Sequence, residues 1–481
     1  MKATASSRTR IVAGAALLGL ATMGVAGCSA GASSDKVTIT LAGPNQFTND
    51  TDSFGPAWEE LITAFEKDNP DIEVKTTVLP LASWAQTSSA QLTAGTAPEL
   101  IFAQTTHTPD QISPLTDDLA EPNPFSESDR PWIDDFKGDY FGGENKLGAN
   151  PNGDYEGIPF NLVAVGLYFN ADALAEADVE PEDLETFSGF LDACSDLRDA
   201  GYSPVGLDNS SLYPGWSIIA LGSMLLNEEY AAVNQFGADG EAGEANPVTV
   251  KSLAHAFLTG EADMTDPAFG DTMELLKTFF DECGTENWSG VPAQGSFSGG
   301  TEFAGGNAAM AWGTNFSGSA LEGVDFEWGT LPFPMLEKSD SEYASGTGAQ
   351  FGINNGGTAY MIPAYIDGEE RAAAITFLQY VSSPKVKAWL DATNSISALV
   401  DVEDPAALAA LTDGEWAKLP PSGQTGGFFQ SPAATAGQNP YEGFLIGSTD
   451  LDGVLSSLQK NSTAWAEEIT AQSDWTEDWA Q

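Results

Sequence analysis

The side chains that most often perform enzyme chemistry are scarce or poorly spaced in this chain of 481 residues. His107 and His255 are its two histidines, and neither stands in a metal-ligand spacing or in a nucleophile motif such as G-x-S-x-G. The pairs Gly142-Gly143 and Gly305-Gly306 lack the lysine and the spacing of a phosphate-binding loop. We therefore expect no catalytic residue, no metal and no cofactor. Glycoside hydrolysis by two of the 70 acidic residues stays open, because carboxylate separation is a spatial quantity.

Large aromatic side chains beside polar loops favour a different chemistry, the binding of a carbohydrate. A sugar offers hydroxyls that need planar polar partners and an apolar face that packs on an aromatic ring. Trp216 follows a polar loop, Trp312 follows a predicted strand, and Phe428 follows a glycine-rich loop. The alternative for each ring is a place in the core. We predict that Trp312 and Trp216 stack on sugar rings and that Phe428 contributes a weaker third contact.

The N-terminus has the features of an export signal. Three basic residues precede an apolar run over 11–25 that is too short to span a bilayer comfortably. The run ends in Val25-Ala26-Gly27-Cys28, which resembles the bacterial lipobox, so we expect Cys28 to carry a lipid. The alternative is an ordinary signal peptide with an incidental cysteine. We predict a signal peptide over 1–27 and a small-residue tether over 28–35, with the protein anchored outside the cytoplasm by the Cys28 lipid alone.

Composition limits the partners of the exported chain. The formal net charge is −52, and without the three basic residues of the signal 15 Lys and Arg would face 70 Asp and Glu, or about −55. Such a surface repels nucleic acid phosphates and anionic lipid headgroups. Because 42% of the residues are hydrophobic and only 18% are charged, the chain is not a disordered acidic polymer. Its length exceeds what one core usually supports, which predicts two lobes.

Strands alternate with amphipathic helices along the chain. The strands predicted over 37–41 and 72–78 flank a helix whose apolar residues Trp58, Leu61 and Phe65 share one face. Further helical stripes of this kind lie over 187–197, 273–283 and 451–469. Alternation on this scale predicts an α/β protein with parallel sheets covered by helices on both faces.

Five segments in a fixed order resemble those of the family 1 extracellular solute-binding proteins, the maltose-binding-protein-like group. Each is weak alone, but together they span 65–363 in the order that the family shows, and Glu99 is a departure from the family's usual aspartate. The segments are Phe65 to Val74, Leu92-Thr93-Ala94-Gly95-Thr96-Ala97-Pro98-Glu99-Leu100, Tyr155 to Phe160 with Leu167 to Asn170, Phe303 to Met310, and Leu331 to Pro334 with Tyr360 to Pro363.

The resemblance implies a two-lobe, periplasmic-binding-protein-like fold of type II. Each lobe would be a mainly parallel sheet flanked by helices, and hinge crossovers near 157–160 and 331–334 would join the lobes. The predicted first lobe comprises 36–161 and 333–390, and the predicted second lobe comprises 162–332 and 391–481. A ligand would bind in the cleft between the lobes, at the carboxyl ends of the strands.

In function, the resemblance implies the substrate-binding subunit of an ABC importer, which would bind an oligosaccharide and deliver it to permease subunits in the membrane. We expect a monomer with no catalysis of its own. One alternative is a polyamine-binding or other small-solute-binding protein of the same fold. Others are a secreted glycoside-active enzyme, and an adhesin or sensor subunit without a transporter. Iron and anionic ligands fit less well. Iron sites are built from clusters of Tyr and His, and anion sites usually contain arginine, of which only three follow the signal.

Seven amide side chains are the predicted partners of the sugar hydroxyls, because an amide donates and accepts hydrogen bonds at once. In the family, the loops that carry them face the cleft. The seven residues are Asn45, Gln46, Gln104, Asn161, Asn209, Asn315 and Gln350.

Cys194 and Cys283 are the two thiols that remain after Cys28. Each lies in the C-terminal part of an apolar helical stripe in the predicted second lobe, and an oxidising compartment would allow them to pair. The alternative is two separate buried thiols.

The lipid anchor gives the first testable prediction. Replacement of Cys28 by alanine should release the protein from membranes or block its processing, because the lipid would be the membrane contact. Fractionation of cells, followed by mass spectrometry of the mature N-terminus, measures both effects. An unmodified Cys28 in the mature wild-type protein would contradict the prediction.

Overall fold

The computed structural model of the protein describes residues 36–45, 52–144, 146–150, 152–293, 296–321, 323–353, 357–404, 408–423 and 426–480. The predicted signal peptide, the tether, Cys28 and Gln46 lie outside the described residues. Within these ranges, no helix combines the length and the apolar character needed to cross a membrane.

Strands and helices alternate as the sequence pattern predicts. The strands are β1 (Val37–Gly43), β2 (Ile72–Val78), β3 (Leu100–Phe102), β4 (Gly157–Pro159), β5 (Asn161–Leu162), β6 (Val165–Asn170), β7 (Ser203–Gly206), β8 (Ala308–Thr314), β9 (Trp328–Leu331), β10 (Ala359–Met361) and β11 (Ile396–Ser397). The helices are α1 (Pro56–Asp68), α2 (Leu81–Ala94), α3 (Thr116–Ala120), α4 (Ala171–Glu176), α5 (Phe187–Asp199), α6 (Leu212–Leu225), α7 (Asn227–Val233), α8 (Val250–Thr259), α9 (Pro267–Cys283), α10 (Gly368–Val381), α11 (Lys387–Ala392), α12 (Ala409–Thr412), α13 (Glu442–Leu445) and α14 (Leu451–Ala471).

Local sequence explains where these helices begin and which face they bury. Pro56 occupies the first turn of α1, and Trp58, Leu61 and Phe65 form its buried stripe. The Thr186 hydroxyl accepts a hydrogen bond from the backbone N–H of Gly189 at 3.3 Å and so caps α5.

Two mixed sheets organise the described chain. The first has the order β2-β1-β3-β10-β4, in which β1 runs parallel to β2 and β3, and β10 runs antiparallel to β3 and β4. The second has the order β7-β8-β6-β9, in which only the β7–β8 pairing is parallel. All strands of the first sheet except β10, and all strands of the second sheet except β6, run in one direction, so the expectation of mainly parallel sheets is confirmed, with β10 and β6 as exceptions. These two strands run the other way because they enter their sheets from a crossover, at the edge where neighbouring strands end.

Each sheet and its helices form a layer, and the chain first passes between the layers over 159–165. In the first layer α1 and α10 pack on the sheet and α11 packs on α1. In the second layer α5 and α9 pack on β7, and α6, α8 and α14 extend this packing. From Lys36 onward the protein is one compact unit that contains both layers.

The second pass lies later in the chain than the sequence suggested. The Phe333 ring stacks on Trp312 at 5.9 Å, and the backbone N–H of Ser345 donates to the Met224 carbonyl of α6 at 2.8 Å. Residues 333–353 therefore pack on the second layer, whereas we had predicted that they belong to the first lobe. The chain reaches the first layer near Gly357, where the Thr358 N–H donates to the Asn161 side chain at 2.6 Å.

The chain also makes a third pass, which the two-crossover expectation did not include. Beyond α11, β11 pairs with β5, and Val400 donates its N–H to the Asp135 carbonyl at 3.0 Å. Residues 391–404 thus still contact the first layer, contrary to the predicted boundary. The second layer is reached by α12, which packs on β9.

A disulfide joins two helices of the second layer. The sulfur atoms of Cys194 in α5 and Cys283 in α9 are 2.11 Å apart, and both residues are fully buried. The bond closes a loop with a sequence separation of 89 residues.

Reduction of this bond should destabilise the protein by about 4 kcal/mol, because a closed loop of this length restricts the unfolded chain. Denaturant unfolding with and without a reductant measures the difference. A Cys194→Ala/Cys283→Ala variant is the control, since its stability should not respond to the reductant. Two free thiols in the denatured, non-reduced mature protein would contradict the disulfide.

Candidate ligand-binding site

In both sheets the carboxyl ends of the parallel strands lie at the edge that faces the first pass. In the first sheet β1, β3 and β4 end at the edge where β10 begins. In the second sheet β7 and β8 end at the edge where β6 begins. Because the chain runs from β4 through β5 into β6, these two edges lie on either side of the pass. Ligands of α/β proteins bind beside such edges.

A cavity of about 390 Å³ lies between segments of the two layers. One wall, which precedes β4, comes from residues 140, 146–150 and 152–153, and the other comes from residues 237–240, 245, 247–251, 419 and 422–423. Trp475, beyond α14, completes the second wall. This volume falls within the range of small-molecule sites.

The first wall is a loop held by its own hydrogen bonds. Gly142 and Leu147 exchange two backbone hydrogen bonds of 2.8 and 2.9 Å. The Asn150 side-chain oxygen accepts from the backbone N–H groups of Asn152 and Asp154 at 2.9 and 3.0 Å. Gly143 is required because its φ is +65° and a Cβ would lie 2.3 Å from the Gly138 carbonyl oxygen.

A half-buried ion pair ties this loop to the edge of the first sheet. The Asn150 amide donates to Glu156 at 2.7 Å, and the other Glu156 oxygen lies 3.0 Å from Nε2 of His107, which follows β3. Burial alone would lower the pKa of His107, but the hydrogen bonds to Glu156 and to the Thr105 carbonyl outweigh it and raise the pKa above 6.5. The first wall is therefore positioned by an electrostatic contact with the strand end.

The second wall is organised by Lys251 of α8. The Thr249 hydroxyl accepts from the Ser252 N–H at 3.1 Å and caps the helix. The Lys251 ammonium donates to the Gly240 carbonyl at 2.7 Å and forms an ion pair with Glu477. One cation thus connects the turn at 237–240, the start of α8 and the end of the chain.

The wall chemistry suits a polar ligand that has an apolar face. Tyr140 and Trp475 supply rings, and Asn150, Asn152 and Thr249 supply amides and a hydroxyl. One carboxylate and two ammonium groups also line the cavity, namely Asp239, Lys146 and Lys251. In the described part of the chain, no group of three His, Cys, Asp or Glu side chains could hold a metal ion.

The predicted stacking residue Trp312 lies in the core. Its side chain is fully buried, with Phe333 at 5.9 Å, Trp216 at 6.0 Å and Trp416 at 6.4 Å between ring centroids. No surface of the ring is left for a ligand in this conformation. The structure therefore favours the core alternative for Trp312, because these rings fill the space that a sugar would need.

Three other predicted ligand residues are buried in structural contacts. The Asn161 amide donates to the Ser395 hydroxyl at 2.9 Å, and the Asn315 side-chain oxygen accepts from the Ala164 N–H at 3.2 Å. Phe428 stacks on Tyr230 at 4.5 Å and lines a separate, acidic cavity of about 220 Å³. The side chains of Asn161 and Asn315 are thus engaged in hydrogen bonds inside the protein, and Phe428 packs in the core while lining the separate cavity.

The remaining predicted residues retain exposed surface but lie off the cavity wall. Asn45 donates to the Ser53 carbonyl at 2.8 Å, Asn209 accepts from the Ala293 N–H at 3.2 Å, and the Gln350 amide donates to Glu415. Gln104 is exposed, and Trp216 is half-buried at the edge of the Trp312 cluster. Their contact with a ligand stays a prediction.

Sequence reasoning missed the residues that line the cavity. Asn150, Asn152, Lys251 and Trp475 lie in loops or at a helix start, outside the periodic patterns that guided the search. The available signal was the concentration of Gly and Asn over 142–153, directly before the first crossover.

Residues 48–388 match the sequence model of a protein family, the bacterial extracellular solute-binding proteins. The chain belongs to the bacterial extracellular solute-binding protein family. This family membership agrees with the resemblance carried by the five segments. No curated protein matches the sequence significantly.

Solved solute-binding proteins share the fold at low identity. RafE in complex with raffinose is 18% identical, with 90% of this chain and 100% of that chain covered and a TM-score of 0.60. A chitin oligosaccharide binding protein is 17% identical, with 90% and 99% covered and a TM-score of 0.61. The GacH receptor of Streptomyces glaucescens, solved unliganded and with acarbose, is 14% identical, with 88% and 97% covered and a TM-score of 0.59. The α/β fold of type II solute-binding proteins is thereby confirmed for this chain.

Replacement of Trp312 by alanine should lower the free energy of unfolding of the unliganded protein by about 3–5 kcal/mol, since it empties a fully buried site. Denaturant unfolding measures the loss. Trp216→Ala is the matched control, and its loss should be smaller because that ring is half-buried. Unchanged stability of Trp312→Ala, together with weaker ligand binding, would restore the stacking role.

Proposed function

We propose that this solute-binding protein is the extracytoplasmic, lipid-anchored subunit of an ABC importer that binds a carbohydrate and delivers it to membrane permeases. The cavity between the two layers is the observation that supports this most directly. Its rings can cover the apolar face of a pyranose, and its amides and backbone groups at glycines can satisfy the hydroxyls. RafE, the chitin oligosaccharide binding protein and GacH bind saccharides or an analogue on the same fold.

The charge of the cavity argues against a polyamine at this place. The chain has 70 acidic and 18 basic residues, yet Lys146 and Lys251 line the cavity, and Asp239 supplies the one carboxylate found on its described walls. A polycation would meet one ammonium group on each wall. The acidic cavity at Phe428 is the place where a polyamine would find carboxylates instead.

The same inventory argues against glycoside hydrolysis. That reaction requires two carboxyl groups, separated by about 5–5.5 Å in retaining enzymes and about 6.5–9.5 Å in inverting enzymes. Among the residues that the structure describes, Asp239 is the one carboxylate that lines the cavity. We therefore infer binding and release of an unchanged sugar, with the two walls approaching each other when the ligand is held.

A thermal-shift panel of mono- and oligosaccharides, with polyamines included, tests this function. A sugar present at about 100 times its Kd should stabilise the protein by about 2.7 kcal/mol. Chromatography should recover that sugar unchanged, and scattering should report a smaller radius of gyration. Stabilisation by polyamines alone would favour the alternative ligand, and a shortened sugar would favour the enzyme.

Two amide variants identify the place of binding. Asn152→Ala should weaken binding of the sugar found by the panel about 2- to 13-fold, because it removes one hydrogen-bonding side chain from the cavity wall. Gln104→Ala alters an exposed amide at the end of β3 and tests the strand-edge contact that the sequence predicts; if the cavity is the place of binding, this variant should leave the affinity unchanged. Calorimetric titration measures both. The opposite result would place the ligand at the strand edges, as the sequence predicted.

A further inference from the structure

The residues that follow α14 fold back onto the second layer as a strap, defined here as 472–480. Its last residues, Asp478–Ala480, form a 3₁₀ turn that packs on α8. The Trp479 ring contacts His255 at 5.1 Å and Phe236 at 6.0 Å between centroids. The strap is therefore attached to the protein by aromatic packing.

The ion pair between Lys251 and Glu477, called the latch below, holds the strap against the second layer. The Lys251 side chain is only 11% exposed and forms an ion pair with Glu477, whose side chain is 35% exposed. The ammonium also lies 4.7 Å from the Phe236 ring centroid and 6.0 Å from that of Trp475. Removal of Glu477 would leave a buried charge without its carboxylate partner, so the latch requires both residues.

This attachment brings Trp475 to the cavity. Its indole is half-buried, packs against Trp479 at 5.6 Å, and lines the second wall. The only other aromatic side chain on the cavity wall, within the described ranges, is Tyr140 from the first wall. A half-buried aromatic ring on the wall of a cavity with hydrogen-bonding groups offers a surface on which an apolar sugar face can pack.

We propose that the strap is part of the ligand site and that Trp475 is a specificity-determining residue, which stacks on a pyranose ring while the Lys251–Glu477 pair holds it in place. This inference rests on the proposed function. The family match ends at residue 388, so the strap lies outside the part of the chain that the family describes. Saccharides with a continuous C–H face are the class that such a ring would select.

Titration of Trp475→Ala with the sugar found by the panel tests the stacking. Its affinity should fall at least about tenfold, because the aromatic contact and the buried apolar area are both lost. Trp475→Phe should recover part of the affinity, and the melting temperature without sugar should stay near that of the wild type. Trp465→Ala, which removes a half-buried tryptophan from α14 away from the cavity, is the control and should bind as the wild type does.

A double-mutant cycle tests the latch. Glu477→Gln should weaken binding when Trp475 is present and should have no further effect in the Trp475→Ala background, because the latch acts through the ring. Wild-type affinity in Trp475→Ala would overturn the role of Trp475, and additive losses would overturn the latch. A wild-type protein that binds no saccharide would instead overturn the proposed function itself.

Discussion

The three segments of chain that connect the two layers are held together by one buried amide side chain, that of Asn161. Asn161 is fully buried in the first pass, donates to Ser395 of the third pass at 2.9 Å, and accepts from Thr358 of the second pass at 2.6 Å. The three passes thus meet at the Asn161 side chain, whose amide nitrogen and oxygen each form a hydrogen bond to another pass. Loss of either bond would leave a buried polar group unsatisfied, which costs about 1–3 kcal/mol. Asn315 adds a second buried amide beside it, bonded to Ala164.

The periodic spacing of apolar residues predicted most of the helices and strands, because this spacing depends only on which face of a local segment is buried. The stripe of Trp58, Leu61 and Phe65 gives one face of α1 whatever surrounds it. The antiparallel directions of β6 and β10 and the positions of the passes were less predictable, since they depend on distant contacts. Phe333 packs on Trp312 of the second sheet, and nothing in the neighbouring sequence distinguishes this contact from the start of a crossover.

The candidate site was predicted less well than the fold, and the physical reason is burial. Asn161, Asn315 and Trp312 stand at strand ends, as ligand residues do, but strand ends near a pass also need hydrogen-bond partners and packing. Sequence position does not separate these two demands. The cavity wall instead comes from glycine- and asparagine-rich loops and from Trp475, which are brought together by Lys251, Glu477 and the His107–Glu156 pair.

The close approach of Gly357 to Asn161 separates two properties that a binding protein must evolve. A Cβ at position 357 would lie 2.5 Å from the Asn161 carbonyl oxygen, so a larger residue would displace the second pass, although position 357 itself does not line the cavity. If the walls must approach each other to hold a sugar, such a displacement changes the fraction of molecules that are competent to bind, and the apparent affinity falls by that fraction. The preference among sugars would be unaffected. Mutations in the passes between the layers can then change the affinity for all sugars together, while mutations of the cavity wall change the preference among sugars.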